Sequence, residues 1–249
     1  MKRTIGISAI CIALSISAFA QAGASAKQGP ADKPVATAAA ATGTGSADLA
    51  KTALTVHGGD RLKKMKTLVM KGSVDVTFMG QAIPGAFSMA ISGDKYYFEI
   101  TSPVQQMKQV YDGERMFSSL APFSLPPITT VGFFVLSKVG DTGYVVGNLP
   151  EKSKKKGFRV TTPEGFYTDF FIDEKTGQVK GYESAFDVNG QVVTTAVDID
   201  ELQTLDGVVL PKKYAQRFDL GQVTAYATFK PKATLVNTAI DDSAFTVPK

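Results

Sequence analysis

Residues 67–80, TLVMKGSVDVTFMG, alternate with a period of two. Successive side chains of an extended chain leave on opposite sides, so Leu68, Met70, Val74, Val76 and Phe78 share one face while Val69, Lys71, Ser73, Asp75 and Thr77 share the other. The pattern continues downstream through Phe87, Met89 and Ile91, then through Tyr96, Phe98 and Ile100. Further strands are expected over 104–111, 114–119, 143–149, 156–162, 166–173, 178–187, 191–203, 207–219, 222–230 and 232–237. The punctuation between them is of the hairpin kind. Asp112-Gly113, Asn189-Gly190 and Asp206-Gly207 favour tight turns with positive φ, and Asp173-Glu174-Lys175-Thr176-Gly177 suits a bulged one. About a dozen strands in roughly 180 residues predict a mainly β domain, one large curved antiparallel sheet or open barrel.

Upstream of Thr67 the period is that of a helix. Asp48 to His57 brings Leu49, Ala53, Leu54 and Val56 close to one face, and Gly58-Gly59 ends it. A second short turn, Asp60 to Lys66, follows. Residues 27–46, KQGPADKPVATAAAATGTGS, have no large apolar side chain beyond Val35 and read as a disordered linker. Residues 1–26 read as a cleavable export signal. Lys2 and Arg3 supply its positive start, Ile5 to Phe19 its apolar run, and Ala18-Phe19-Ala20 or Ala24-Ser25-Ala26 its small-x-small cleavage pattern. That run is shorter than the ~20 residues needed to span a bilayer, so no permanent membrane span is expected after cleavage. The folded domain is then 47–249.

Composition removes several chemistries. The chain of 249 residues has one cysteine and one histidine, Cys11 and His57, and Cys11 lies inside the signal. A Cys/His zinc site, an iron–sulfur cluster or a disulfide framework cannot be assembled from these, and no metal or cofactor is expected. Without Lys2 and Arg3 the excess of basic over acidic residues falls from four to two, so a nucleic-acid footprint is not expected either. Lys152, Lys154, Lys155 and Lys156 form a basic run that reads as a solvated hairpin tip or as a contact with anionic headgroups. Asp198, Asp200 and Glu201, and likewise Asp241-Asp242, lack the spacing of a calcium loop and read as strand-edge and turn charges. His57 stands at a helix end, where an imidazolium suits the dipole, and reads as a capping or packing residue. No catalytic motif is present, and no enzyme is expected.

Two apolar groups are candidates for a binding site. Met70, Val74, Val76, Phe78, Phe87, Met89, Ile91, Phe98, Ile100, Met107 and Phe117 are placed on the inward faces of the early strands. They form either ordinary core or the lining of an adaptable apolar cavity. Burying about ten acyl methylenes there contributes roughly 8 kcal/mol before the costs of binding. The second group is the segment 120–137, LAPFSLPPITTVGFFVLS, whose prolines forbid a central strand. Its Phe123, Leu125, Phe133 and Phe134 are either core folded under one end of the sheet or a lid over the cavity, with Thr129 or Thr130 capping a short helix that reaches Ser137.

Taken together these residues resemble a known family. Gly58-Gly59, Arg61-Leu62 and Lys64 lead into Thr67–Gly72, and Val110-Tyr111-Asp112-Gly113 closes a strand. Later, Asp206-Gly207 is followed by Leu210-Pro211, Asn237 and the ending Asp241-Asp242-Ser243-Ala244-Phe245-Thr246-Val247-Pro248. In this order and spacing, over about residues 48–248, the chain resembles periplasmic proteins of the LolA/LolB lipoprotein-carrier superfamily, and more the broad lipoprotein-sorting-like group than LolA itself. The resemblance implies an unclosed β-barrel of about eleven strands with helices as a lid over an apolar cavity. It implies acyl chains of a lipoprotein or a lipid as partners, in the periplasm, and a role in outer-membrane lipoprotein sorting. Envelope regulators that bind a protein partner, and at least one cofactor-free enzyme, are built on the same scaffold. The chain departs from the family in having no tryptophan after the Asp112-Gly113 turn, where Met116-Phe117 follow. It also has no arginine in strands 67–101, only Lys71 and Lys95, where LolA carries the pocket arginine that holds its lid.

Overall fold

The computed structural model describes residues 44–248 apart from 79, 120–125, 189 and 221–222. Two helices, α1 (Thr44–Val56) and α2 (Asp60–Lys63), precede twelve strands. These are β1 (Thr67–Phe78), β2 (Gln81–Ser92), β3 (Lys95–Thr101), β4 (Gln106–Tyr111), β5 (Met116–Ser118), β6 (Val145–Gly147), β7 (Gly157–Thr161), β8 (Tyr167–Ile172), β9 (Val179–Val188), β10 (Gln191–Leu205), β11 (Val208–Leu220) and β12 (Val223–Val236). Short 3-10 turns cover Phe133–Lys138 and Asp242–Phe245.

All twelve strands form one antiparallel sheet in the order β5-β4-β3-β2-β1-β12-β11-β10-β9-β8-β7-β6, which does not close into a barrel. Every neighbour pair is a sequential hairpin except β1 with β12, where Leu68 lies opposite Val236 and Val74 opposite Phe229. The sheet is thus two meanders, β1–β5 and β6–β12, joined through the first and last strands. This order has a consequence for the chain between them. β5 and β6 are consecutive in sequence but stand at opposite edges of the sheet, so the connection between them spans from one edge to the other. Residues 126–138, which overlap the Pro-rich apolar stretch, belong to that connection, and we refer to them as the strap.

The twelve strands agree with the expected count of about a dozen. Two expectations need correction. The first helix begins at Thr44, so residues 44–46 belong to it and not to a linker. The separate strands expected at 222–230 and 232–237 are one strand, β12, which runs through Pro231. Pro231 is tolerated because the β11 ladder ends at Phe229, so no partner on that side needs its missing N–H. The β1 register slips between Lys71 and Gly72 opposite this point, and a Cβ on Gly72 would run into the carbonyl oxygen of Lys230. The segments 1–26 and 27–43 lie outside the described residues.

The alternation read from 67–80 is the alternation of burial: Leu68, Met70 and Val74 are buried, and Val76 is half-buried beside them. Residues directly opposite one another in a ladder point to the same face, so the inner face continues through Phe87, Met89 and Ile91 on β2, and through Tyr96 and Ile100 on β3. From the other meander the core receives Phe158, Phe170, Val197, Ile199 and Phe229. α1 lies over this face at β6 and β7, and its fully buried side chains are Ala50 and Ala53, small enough for the helix backbone to come close to the sheet. Gly58 (φ 113°) and Gly59 (φ 52°) end α1, and the first approaches the carbonyl oxygen of Gly207 in the β10–β11 turn so closely that a side chain has no room.

Candidate functional site

The inner face of the sheet is a trough, and a cavity of about 130 Å³ lies between its two halves and the strap. Met70, Met89 and Phe98 of the first meander line one side, and Leu210, Tyr214, Gln216 and Phe218 of β11 line the other, with Thr195 and Tyr182 beside them. Ile128, Val131, Gly132, Phe133 and Phe134 of the strap cover it.

The other residues expected at the cavity have different places. Val74, Phe87, Ile91 and Ile100 are buried in the packed core, and Val76 and Met107 are half-buried against it. Phe117 stands opposite Val110, which in turn stands opposite Tyr97, on the outer face of the sheet. The inward positions at that edge belong to Gln109 and Met116, whose neighbours in the ladder are Phe98 and Tyr111. The register was misjudged there by one residue, which reverses the face. The side chain of Phe78, and Phe123 and Leu125 of the lid group, lie outside what the structure describes. Sequence reading missed Tyr182, Thr195, Tyr214, Gln216 and Phe218. Tyr214, Gln216 and Phe218 do show the period of two, but two of the three are polar, and attention to Met and Phe passed over them.

Hydrogen bonds from the trough wall hold the strap by its backbone. The Gly132 N–H donates to Thr168 Oγ1 at 2.9 Å, and that oxygen lies 3.1 Å from Ser184 Oγ. Both hydroxyl residues are fully buried. The Phe133 N–H donates to the hydroxyl of Tyr182. The 3-10 turn that follows is uncapped by any side chain: Gly132 precedes it, and Thr130 donates its hydroxyl to Pro127 O at 2.7 Å, so neither Thr129 nor Thr130 plays the expected capping role. Phe133 meets Phe134 edge-on at 6.0 Å and the His57 ring edge-on at 5.3 Å between centroids.

His57 is fully buried. Its Nδ1 donates to Val209 O at 2.8 Å and its Nε2 accepts from the Val179 N–H at 3.0 Å, which fixes one neutral tautomer. Burial lowers its pKa, outweighing the bond to Val209. It is therefore an uncharged buttress between α1, β9 and β11, not the charged dipole partner that its place at the helix end suggested.

The polar groups of the cavity are uncharged amides and hydroxyls. Gln216 Nε2 donates to Thr195 Oγ1 at 2.9 Å, and Gln109 Nε2 lies 3.2 Å from Met116 Sδ. Tyr214 is stacked on Phe229 at 4.8 Å, and burial raises its pKa and that of Tyr182, so both stay protonated. The cations of this region face the other way. Lys213 pairs with Asp200 and Arg217 with Asp219, each at 3.0 Å, on the outer face. The other acidic groups singled out in the sequence are likewise structural: Glu201 pairs with Lys212, Asp242 with Lys95, and Asp241 accepts the Ser243 N–H. Among the described residues no three His, Cys, Asp or Glu side chains come together, and no helix is long and apolar enough to cross a membrane. The lysine run lies in the exposed β6–β7 connection, with the Lys155 ammonium 4.2 Å above the Phe171 ring. A second depression, of about 290 Å³, is more open and is bordered by the opposed charges of Asp60, Arg61, Lys64 and Asp206. It offers no enclosed surface to a ligand.

No family model and no curated protein matches the sequence. Among solved structures the chain is similar to a LolA superfamily protein from Nitrosomonas europaea, with 10% identity and a TM-score of 0.49 over 81% of this chain and 97% of that one. A DUF1329 family protein from Desulfovibrio piger gives 10% identity and a TM-score of 0.48 over 81% and 96%. A putative outer membrane lipoprotein-sorting protein domain from Vibrio parahaemolyticus gives 10% and 0.41 over 79% and 97%.

Proposed function

We propose that this protein is a periplasmic binding or carrier protein that takes an acyl chain of a lipid or lipoprotein into the trough and performs no chemistry on it. The observation that carries this reading is the cavity of about 130 Å³ between the two meanders, bordered by Met70, Met89, Phe98, Phe133 and Phe134 and covered by a strap. Flexible Met and flat Phe side chains make such a wall adaptable.

The size of the cavity determines how loading must work. An apolar cavity of ~150 Å³ holds about one benzene. Six carbons at about 0.8 kcal/mol each give roughly 5 kcal/mol, no more than the cost of association itself. The cavity as it stands therefore holds no chain with useful affinity. A chain of ten or more methylenes needs the space that Phe133 and Phe134 now fill, so the strap must lift for the site to load. Its wall contacts suit that role, since few backbone hydrogen bonds hold it to the sheet and the 3-10 turn carries no side-chain cap. Export by the 1–26 signal, followed by its cleavage, puts the folded domain where such lipids are handled.

The test is binding of a neutral naphthylamine probe, together with mass spectrometry of lipid co-purifying with the exported protein. Probe fluorescence that acyl lipids displace, and a Phe134→Ala variant with at least about threefold tighter probe binding, are the expected results. A protein that takes up no neutral apolar probe and carries no acyl lipid defeats the reading.

A further inference from the structure

The cavity is apolar along most of its wall, yet one side carries a compact set of uncharged polar atoms. Thr195 Oγ1 accepts from Gln216 Nε2 at 2.9 Å, which leaves the Thr195 hydroxyl proton and the Gln216 carbonyl without a partner among the described residues. Two positions along β11, Tyr214 lines the same cavity, and its hydroxyl has no hydrogen bond to a described residue. The Tyr214 ring is fixed by its stack on Phe229 at 4.8 Å, so the hydroxyl is held in place and not free to turn out to solvent. Tyr214 and Gln216 are half-buried, so these polar atoms stay open to the cavity, where a polar group of a bound chain can pair with them.

The sign of that ligand's charge follows from what is missing. Among the described residues no Asp, Glu, Lys, Arg or His lines the cavity. Lys213 and Arg217, which alternate with Tyr214 and Gln216 along β11, point to the opposite face and are already paired with Asp200 and Asp219. A carboxylate brought beside Gln216 meets hydroxyl and amide donors but no cation, and taking an ion out of water without a counter-charge is far more costly than taking a carbonyl.

We propose that the trough selects chains whose polar end is uncharged, with the carbonyl of an ester or an amide hydrogen-bonded at Thr195, Tyr214 and Gln216, and that it rejects the free carboxylate. This rests on the chain-binding reading above and specifies its ligand class.

The experiment is competition against the neutral naphthylamine probe with three ligands of the same twelve-carbon chain: the methyl ester, the primary amide and the carboxylate, at pH 8. The ester and the amide are expected to displace the probe at concentrations at least about tenfold below the carboxylate, and their relative strength distinguishes ester-linked from amide-linked chains as the source. Thr195→Val with Gln216→Met keeps the volume and is expected to bring the three ligands within about twofold of each other while the probe still binds. A measurement free of variants repeats the titration at pH 5 on the unaltered protein. The carboxylate gains affinity as it becomes the neutral acid, and the ester, as control, does not. The lining groups that titrate are Tyr182 and Tyr214, both protonated throughout. Carboxylate binding as tight as ester binding at pH 8, or a tenfold preference that survives the double variant, overturns the assignment and leaves chain binding intact. Failure of the probe and of all three ligands to bind overturns both.

Discussion

His57 shows how one residue can tie three elements together without a charge. Each ring nitrogen is already committed, Nδ1 as donor to Val209 and Nε2 as acceptor from Val179. Protonation puts a second N–H against the Val179 N–H, so the folded state resists it and the unfolded chain, with a pKa near 6.5, does not. Stability from this residue is therefore fully present above about pH 6.5 and is lost as pH falls below that value toward the lowered folded pKa, because the unfolded state then binds the extra proton. We expect the free energy of unfolding to drop as pH falls from 7 towards 5, with a slope that cannot exceed the one-proton limit of about 1.4 kcal/mol per pH unit. His57→Gln, which can make both hydrogen bonds and cannot titrate, should be less stable at pH 8 by about 1–2 kcal/mol but nearly flat across that window. Denaturant titrations at a series of pH values read this directly. The residue is the only histidine in the chain, so no other imidazole contributes to the change. Its packing role was legible from its place at a helix end, but its burial was not. Local sequence says nothing of Val179 and Val209, which are brought to it from 122 and 152 residues away.

At the scale of elements, strands were the most legible part and the strap the least. A period of two appears wherever one face of a strand is covered, so β1 is legible to within two residues, and the inward positions of β2 and β3 are legible from Phe87 to Ile100, although the first half of β2 is not. β12 was divided because Pro231 looks like a breaker until the end of the β11 ladder is known, and Phe117 was put on the wrong face because a three-residue strand has too little pattern to fix its register. The strap has no period at all. What places it is the Thr168 hydroxyl of β8, which accepts from Gly132 and contacts Ser184 in a fully buried position. Thr168→Val keeps the shape and removes the acceptor, leaving a buried N–H unpaired at a cost of about 1–3 kcal/mol. We expect a lower melting temperature together with faster association of the naphthylamine probe by stopped flow, with Thr168→Ser restoring both. Lower stability with unchanged association would show that Gly132 is not what holds the strap down.

The architecture of the whole molecule was foreseen as a curved open sheet, because hairpin turns and alternation are local signals, while the pairing of β1 with β12 was not, since it joins Leu68 to Val236 across the full length of the domain. That pairing is the one non-sequential ladder among the described strands, so folding must bring β1 and β12 together before the trough exists, and a slow, topology-limited folding phase is expected in refolding traces. A more distinctive outcome concerns the two meanders. The first includes α1, which packs on β6 and β7 of the second, and His57, which bonds to β9 and β11. Residues 44–119 and 126–248 should therefore co-purify as a one-to-one complex when expressed together from separate genes, as judged by size exclusion with light scattering, and Val74→Asp at the β1–β12 seam should abolish the association. Because the strap belongs to the connection between the two edges of the sheet, a single protease cut there is expected to free the cover without releasing either half. On that outcome, chain continuity and structural integrity are uncoupled: a ladder and a helix fasten the two halves at their seam, and the covalent connection serves the doorway instead of the walls.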